Sequence, residues 1–108
     1  MGYSVAMMTT AAPDLTPGYP SKGTKLGPAW ERLWVELDKA SQGPDPYVEG
    51  RALALKVATD YGLNPSTLTA LLSRAAKADL LKRDHRYVAG ARGNRMRTHY
   101  AISRKATQ

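Results

Sequence analysis

The chain has 108 residues, enough for one small domain, and its 43% hydrophobic content permits a folded core. It contains no cysteine, which excludes disulfides and cysteine-ligated zinc. No apolar run approaches the roughly 18 residues of a membrane span, and the N-terminus lacks the basic and apolar regions of a signal peptide. We therefore expect a soluble cytoplasmic protein without membrane partners.

Positive charge is concentrated in the C-terminal third of the chain. The net charge is +7, from 16 Lys+Arg and 9 Asp+Glu residues. Residues 74–108 hold ten of those cations but only Asp79 and Asp84 as acids, which gives +8. The rest of the chain, with six cations and seven acids, is near −1. Because a solvated surface normally mixes both signs, this asymmetry predicts a polyanionic partner.

Residues 1–27 predict a flexible tail, since Pro and Gly recur there without a sustained period. Pro28–Ala40 predicts the first helix, with Pro28 at its start. A single apolar stripe on this helix indicates core packing of Trp30, Leu33, Trp34 and Leu37. The folded domain is expected to span 28–104, with 105–108 as a C-terminal tail.

Two further helices are predicted on either side of a short turn. A very short strand at Tyr47–Glu49 precedes the second helix, Gly50–Tyr61, and the third helix, Pro65–Ala78, follows after three residues. Gly62 suits the left-handed conformation that ends a helix, and Asn64 suits the N-cap position. Helices joined by so short a turn cross at a steep angle, which is typical of a helix-turn-helix.

The third helix divides into an apolar face and a polar face. Its apolar positions fall at helical spacing: Leu68, Leu71, Leu72 and Ala75. On the other face, the side chains are short near the start of the helix and cationic near its end: Ser66, Thr69, Ala70, Ser73, Arg74 and Lys77. Such a face approaches a DNA major groove closely and still holds phosphate. Asp79 is expected to make the turn out of the helix, because aspartate tolerates the left-handed conformation.

After Asp79 the apolar period changes to two, which predicts a β-hairpin from strands Leu80–Val88 and Arg95–Ser103. Pairing Leu81 with Ile102 separates the two faces best. The inward face then contains Leu81, Tyr87, Met96, Tyr100 and Ile102, with Arg83, His85 and Thr98 interspersed. The outward face contains Lys82, Arg86, Arg95, Arg97 and His99. Because this register places Arg86 opposite Arg97, we expect a phosphate partner to offset their repulsion.

Two sequence blocks resemble the winged helix-turn-helix family of bacterial and phage DNA-binding proteins. VATDYGLNPSTLTALLSRAAKADLLKRD (57–84) is similar to the family's short helix, turn, leucine-rich helix and basic exit. THYAIS (98–103) resembles the returning strand of the wing. The resemblance covers about 28–104. It implies a mainly α fold with a small β-hairpin wing (α+β), built from three helices and a two- to three-stranded antiparallel sheet.

The resemblance also implies that the third helix enters the major groove and that the wing lies along the backbone or minor groove. By position, the recognition helix matches Ser66, Thr67, Thr69, Ala70, Ser73 and Arg74, and the wing matches Arg92, Arg95 and Arg97. The charge pattern adds Lys77, Lys82 and Arg86. Ala70 stands where many relatives carry a long polar or basic side chain, so readout is expected to depend on DNA shape and phosphate.

We therefore expect a double-stranded DNA-binding protein that acts as a transcriptional regulator, with no enzymatic activity, cofactor or small-molecule ligand. A homodimer through the first helix or the tail is a further expectation. His85 and His99 lack the additional ligands of a metal site. The alternatives are a role in replication, excision or DNA architecture, a protein–protein adaptor, and RNA binding. An adaptor requires an exposed apolar patch, and single-strand RNA binding requires exposed sheet aromatics.

Overall fold

A computed structural model describes residues 12–13, 26–90 and 93–103, without the side chain of Asn94. These residues form three helices and a three-stranded antiparallel sheet with strand order β1-β3-β2. The helices are α1 (Leu26–Ser41), α2 (Gly50–Tyr61) and α3 (Pro65–Lys77), and the strands are β1 (Val48–Glu49), β2 (Leu81–Gly90) and β3 (Gly93–Ile102). The expected α+β class, with three helices and a small antiparallel sheet, is confirmed.

The turn between α2 and α3 follows the local signals that predicted it. Gly62 ends α2 in the left-handed conformation, with φ 65°, and its N–H donates to the carbonyl of Ala58. Asn64 then caps α3, because its Oδ1 accepts a 3.0 Å hydrogen bond from the N–H of Ser66. The helix ends one residue earlier than predicted, and Asp79 turns out of it with the expected left-handed φ of 63°.

The core lies between the three helices and the base of the sheet. α1 contributes its predicted apolar stripe. One further residue of this helix, Ala29, is also buried. The other helices contribute Leu53, Ala54, Val57, Ala58, Leu68, Leu71, Leu72 and Ala75, and the sheet contributes Leu81, Tyr100 and Ile102. Trp34 and Leu68 are fully buried in this one cluster, as predicted. Burial of this apolar surface stabilises the packing of α2 against α3.

The hairpin has the predicted register but is longer than predicted. Leu81 pairs with Ile102 and Arg86 pairs with Arg97, and the ladder continues outward to Gly90 and Gly93. β1 adds to the free side of β3 through two residue pairs. The predicted strand at Tyr47–Glu49 is therefore confirmed, although Tyr47 lies outside it.

Tyr87 and Met96 lie on the predicted face of the hairpin, but the prediction that they point into the core is wrong. Both residues lie on the same side of the hairpin as Leu81, but Tyr87 is 69% exposed and Met96 is 52% exposed. The hairpin extends beyond the helices, so only its base covers the core. Its distal half is exposed to solvent on both sides.

Ala12 and Pro13, which the structure describes within the predicted tail, both contact the domain. Trp30 donates its indole N–H to the carbonyl of Pro13 at 2.7 Å, and Ala12 packs against the core. Leu26 and Gly27, predicted as tail, belong to α1. Otherwise the predicted tails, 1–27 and 105–108, lie outside the described residues, as does Arg104.

Trp34 provides a test of the core. We expect Trp34→Ala to lower the free energy of unfolding by about 3–5 kcal/mol, because a large cavity would replace a fully buried indole. Leu55→Ala is the matched control, since Leu55 is 56% exposed and its loss is expected to cost under about 0.5 kcal/mol. Urea denaturation of both variants measures the difference. Equal midpoints for the two variants would contradict the assigned core.

Candidate nucleic-acid interface

The polar face of α3 is presented to solvent because its apolar face is fixed in the core. Of the predicted recognition residues, Ser66, Thr69, Ala70, Arg74 and Lys77 are exposed, and Thr67 and Ser73 are half-buried. Ala70, Ser73, Arg74 and Lys77 line one open depression of about 350 Å³. The predicted residues therefore form one continuous strip, except Thr67, which is turned partly toward the interior.

Two hydroxyl groups on this strip donate hydrogen bonds to neighbouring protein oxygens. Ser66 donates its hydroxyl hydrogen to Oδ1 of Asn64 at 2.9 Å, and Thr69 donates its own to the carbonyl of Pro65 at 3.1 Å. While these hydrogen bonds are made, both oxygens offer lone pairs to a ligand. Exocyclic amino groups of adenine and cytosine are the donors that a DNA major groove presents to such acceptors.

The hairpin contributes one of its faces to the same surface. We call Arg83, His85, Tyr87, Met96 and Thr98 the inner wing face, because they continue the side of the hairpin that covers the core. Met96 and Thr98 line an open groove of about 220 Å³ together with Thr69 of α3 and with Arg51 at the start of α2. The inner wing face and the polar strip of α3 thus form one surface, the α3–wing surface.

Close contact between α2 and β3 shapes this groove. A Cβ atom added to Gly50 would lie 2.5 Å from the ring of Tyr100, so any larger residue would displace α2 from the sheet. This contact places Arg51 beside the wing. Arg51 was not among the residues predicted to bind DNA. Its position depends on the strand pairing between β1 and β3, and no local sequence pattern indicates it.

The predicted wing cations lie on the other side of the hairpin, which we call the outer wing face, since side chains alternate along a strand. Lys82 and Arg95 are exposed there, and neither forms an ion pair with another described residue. Arg97 is within 3.9 Å of Glu49, and Arg86 is also paired with acids. Arg92 lies outside the described residues.

Arg86 is held by the protein itself. It donates to Asp45 at 2.8 and 3.3 Å and to Asp84 at 2.8 Å, and its guanidinium lies 4.7 Å from the centre of the Tyr47 ring. Hydrogen bonds to Asp45 and then Asp84 raise the pKa of Arg86, and the bond from Arg86 lowers the pKa of Asp45. The expected phosphate is therefore not required to offset the Arg86–Arg97 pair, because Asp45, Asp84 and Glu49 already do so.

Three cations on α1 and α2, Arg32, Lys39 and Lys56, are also compensated. Glu36 accepts from Arg32 at 3.1 Å and lies within 3.6 Å of both Lys39 and Lys56. Burial raises the pKa of Glu36, but the Arg32 hydrogen bond and the neighbouring lysines together lower it further, so the net pKa is below its ordinary value. Arg32 also pairs with Asp60. This ion-pair cluster has little net charge to offer a polyanion.

Uncompensated cations lie instead on α3, at the start of α2 and on both faces of the hairpin. Within the described ranges, no acid lies within ion-pair distance of Arg51, Lys77, Lys82, Arg83 or Arg95. Each of them is exposed. The asymmetry of charge along the sequence is therefore also present in the folded protein, where these cations give the region of α3 and the hairpin a positive potential.

The two histidines have protein partners. Nδ1 of His85 lies 3.1 Å from Oγ1 of Thr98, and Nδ1 of His99 lies 3.2 Å from the carbonyl of Arg97. In the part of the chain that the structure describes, no group of three His, Cys, Asp or Glu residues is arranged to hold a metal ion. No helix there combines the length and the apolar character that a membrane crossing requires.

Comparisons of the chain with models of known families, with curated proteins and with solved structures gave no significant match. The resemblance to winged helix-turn-helix proteins therefore depends on the motifs of the chain and on the compatible arrangement of its elements.

Arg86→Ala tests the structural role of this residue. We expect hydrogen exchange of the β2 and β3 amides to become several-fold faster, because the hairpin loses its links to Asp45 and Tyr47. Lys82→Ala is the matched control, since it removes an equal charge from the same strand face without removing an ion pair with a described residue. Exchange that is unchanged in both variants would contradict this role.

Proposed function

We propose that this protein binds double-stranded DNA as a winged helix-turn-helix transcriptional regulator. The observation that carries the proposal is the α3–wing surface. There, short exposed side chains on one helix stand beside Lys77 and Arg51, which have no acid partner among the described residues. Arg32, Lys56 and Arg86, by contrast, are paired with acids. A surface of this kind fits a groove bordered by phosphates.

In the proposed complex, α3 lies in the major groove, which is wide enough to admit a helix. Ala70 and the methyl group of Thr69 are small enough for van der Waals contact with thymine methyl groups. The lone pairs of Ser66 and Thr69 accept hydrogen bonds from base amino groups. Because these side chains are short, base contacts are few, and the shape of the DNA adds to selectivity.

Cations around the strip would contact the backbone. Arg51 at the start of α2 lines the groove between helix and wing, and Lys77 at the end of α3 lines the depression on the polar strip. Arg83 is exposed at the base of the hairpin. Arg95 projects from the distal hairpin, where both faces are exposed. These contacts would position the protein on the duplex and supply most of the affinity, while base contacts select the site.

A role in replication, excision or DNA architecture would use the same surface and stays an alternative. The exposed Tyr87 and Met96 side chains supply an apolar patch on the wing, which the adaptor alternative requires. Tyr87 is also exposed, so one of the two hairpin tyrosines is available for stacking on RNA bases, which the RNA-binding alternative requires. Duplex DNA remains the better proposal, because the uncompensated cations extend from the wing to the end of α3.

Binding to duplex DNA is expected to weaken steeply with salt. If about five to seven phosphates are neutralised, the slope of log K against log salt is roughly −4 to −6. Lys77→Ala and Arg95→Ala should each reduce the slope by about one. Lys56→Ala is the matched control, because Lys56 belongs to the ion-pair cluster around Glu36, and its slope should not change. Fluorescence anisotropy measures all three.

The salt experiment has two outcomes that contradict the proposal. The absence of wild-type binding to any duplex at low salt would remove the DNA function. If Lys56→Ala reduced the slope of log K against log salt as much as Lys77→Ala does, a cation would contribute to binding wherever it lies on the surface. Arg97→Ala should have a smaller effect than Arg95→Ala, since Arg97 lies beside Glu49.

Substitutions on α3 should affect site preference more than general affinity. After selection of a preferred duplex, Thr69→Ala or Ser73→Ala is expected to reduce its advantage over random DNA by about 1 kcal/mol or more. Arg95→Ala should weaken both duplexes to a similar extent. Competition binding measures the ratio. If Arg95→Ala changes the ratio and the α3 variants leave it intact, the wing reads the sequence and the assignment of roles is wrong.

A further inference from the structure

The exposed apolar side chains of the inner wing face form one compact pair. Tyr87 and Met96 are direct partners in the β2–β3 ladder, so their side chains project side by side from the same face. They are 69% and 52% exposed, and the only other large apolar side chain of comparable exposure among the described residues is Leu55, on α2. A single exposed leucine is ordinary, but an adjacent aromatic and thioether pair on a projecting hairpin is a candidate contact site.

The position of the pair relates it to the proposed DNA contact. Met96 lines the groove that Thr69 of α3 also lines. A duplex that received α3 in its major groove would therefore lie against the same face of the wing. The neighbouring positions on that face are polar or cationic, including His85, Thr98 and Arg83. The pair is thus an apolar contact within a positively charged surface.

Charge narrows the class of partner. Arg83 lies on the same face of the hairpin as the pair, and Arg95 precedes Met96 on the opposite face. Neither arginine is within ion-pair distance of an acid among the described residues. The acid of β2, Asp84, is on the opposite face and bonded to Arg86. A partner must then present anionic groups beside an apolar surface. Duplex DNA does so where a base step opens, because the apolar faces of the two bases are then reached between two lines of phosphates.

We infer that Tyr87 and Met96 form a wedge that partly unstacks a base step of bound duplex DNA and bends the duplex. This inference rests on the proposed function. Apolar side chains placed between base steps kink a duplex by about 20–90° and cost a few kcal/mol of stacking per step. A tyrosine ring replaces part of the lost stacking, and the flexible thioether of methionine fills an irregular gap. Pyrimidine–purine steps are the expected targets, because they unstack most easily.

The test uses a 30-base-pair duplex with a central TA step, with 2-aminopurine at that step and a donor and an acceptor dye at its ends. For the full chain, we expect 2-aminopurine fluorescence and energy transfer both to rise on binding. The double variant Tyr87→Ser/Met96→Ser should bind the duplex, as judged by anisotropy, and lose both changes. Leu55→Ser is the matched control and should keep both, since it removes an exposed apolar side chain of α2.

The conservative variant Tyr87→Phe/Met96→Leu should retain the bend, because it keeps an apolar wedge. Circular dichroism confirms that each variant is folded. The inference is overturned if the wild-type chain binds the duplex without unstacking or bending it, or if the serine variant bends it equally. It is also overturned if the pair increases affinity for single-stranded DNA only, which would assign it to stacking on unpaired bases. Absence of duplex binding by the wild-type chain, by contrast, defeats the proposed function and the wedge together.

Discussion

The structure depends on burial of the apolar side of α3 against the other two helices. Leu68, Leu71 and Leu72 are fully buried in one cluster with Trp34. A helix packed in this way has no freedom to rotate about its axis, because rotation would expose leucine and bury serine and threonine without partners. The polar strip of α3 therefore faces solvent as a consequence of core packing. The proposed DNA-binding role uses a face that the core has already oriented.

Ion pairs determine which cations remain available. Glu36 compensates Arg32, Lys39 and Lys56 on α1 and α2. Asp45 holds Arg86 across 41 positions of sequence. The second interaction also ties the loop before β1 to the projecting hairpin. Compensation in both places removes positive charge from surfaces away from α3 and from part of the outer wing face. Among the described residues, the cations that remain lie on α3, at the start of α2 and on both faces of the hairpin, where a duplex that contacts α3 and the wing would gain from them.

Local signals predicted much of this arrangement. The cap at Asn64, the left-handed Gly62 and Asp79, and the pairing of Leu81 with Ile102 each depend on residues close in sequence or on simple alternation. Alternation assigns a residue to a face but does not show how far the core extends beneath that face. Tyr87 and Met96 were therefore placed inward, although the hairpin extends beyond the helices.

The partners of Arg86 and the position of Arg51 were not predictable for a different reason. Asp45 lies in a loop whose path depends on the packing of β1 against β3, and Arg51 reaches the groove only because of that same pairing. Contacts of this kind arise between segments far apart in sequence. The basic segment therefore predicted a polyanionic partner, but it did not separate the cations that bind acids within the protein from those that remain available.

The central claim is that duplex DNA lies across the α3–wing surface, and mapping of amide chemical shifts tests it most directly. A titration of the isotope-labelled full chain with a duplex should shift amide signals of Ser66, Thr69, Ala70 and Ser73, together with those of Met96 and Thr98. Signals of Arg32, Glu36 and Lys56 in the ion-pair cluster should stay in place. Shifts centred on that cluster, or on Asp45 and Arg86, with α3 unaffected, would contradict the account.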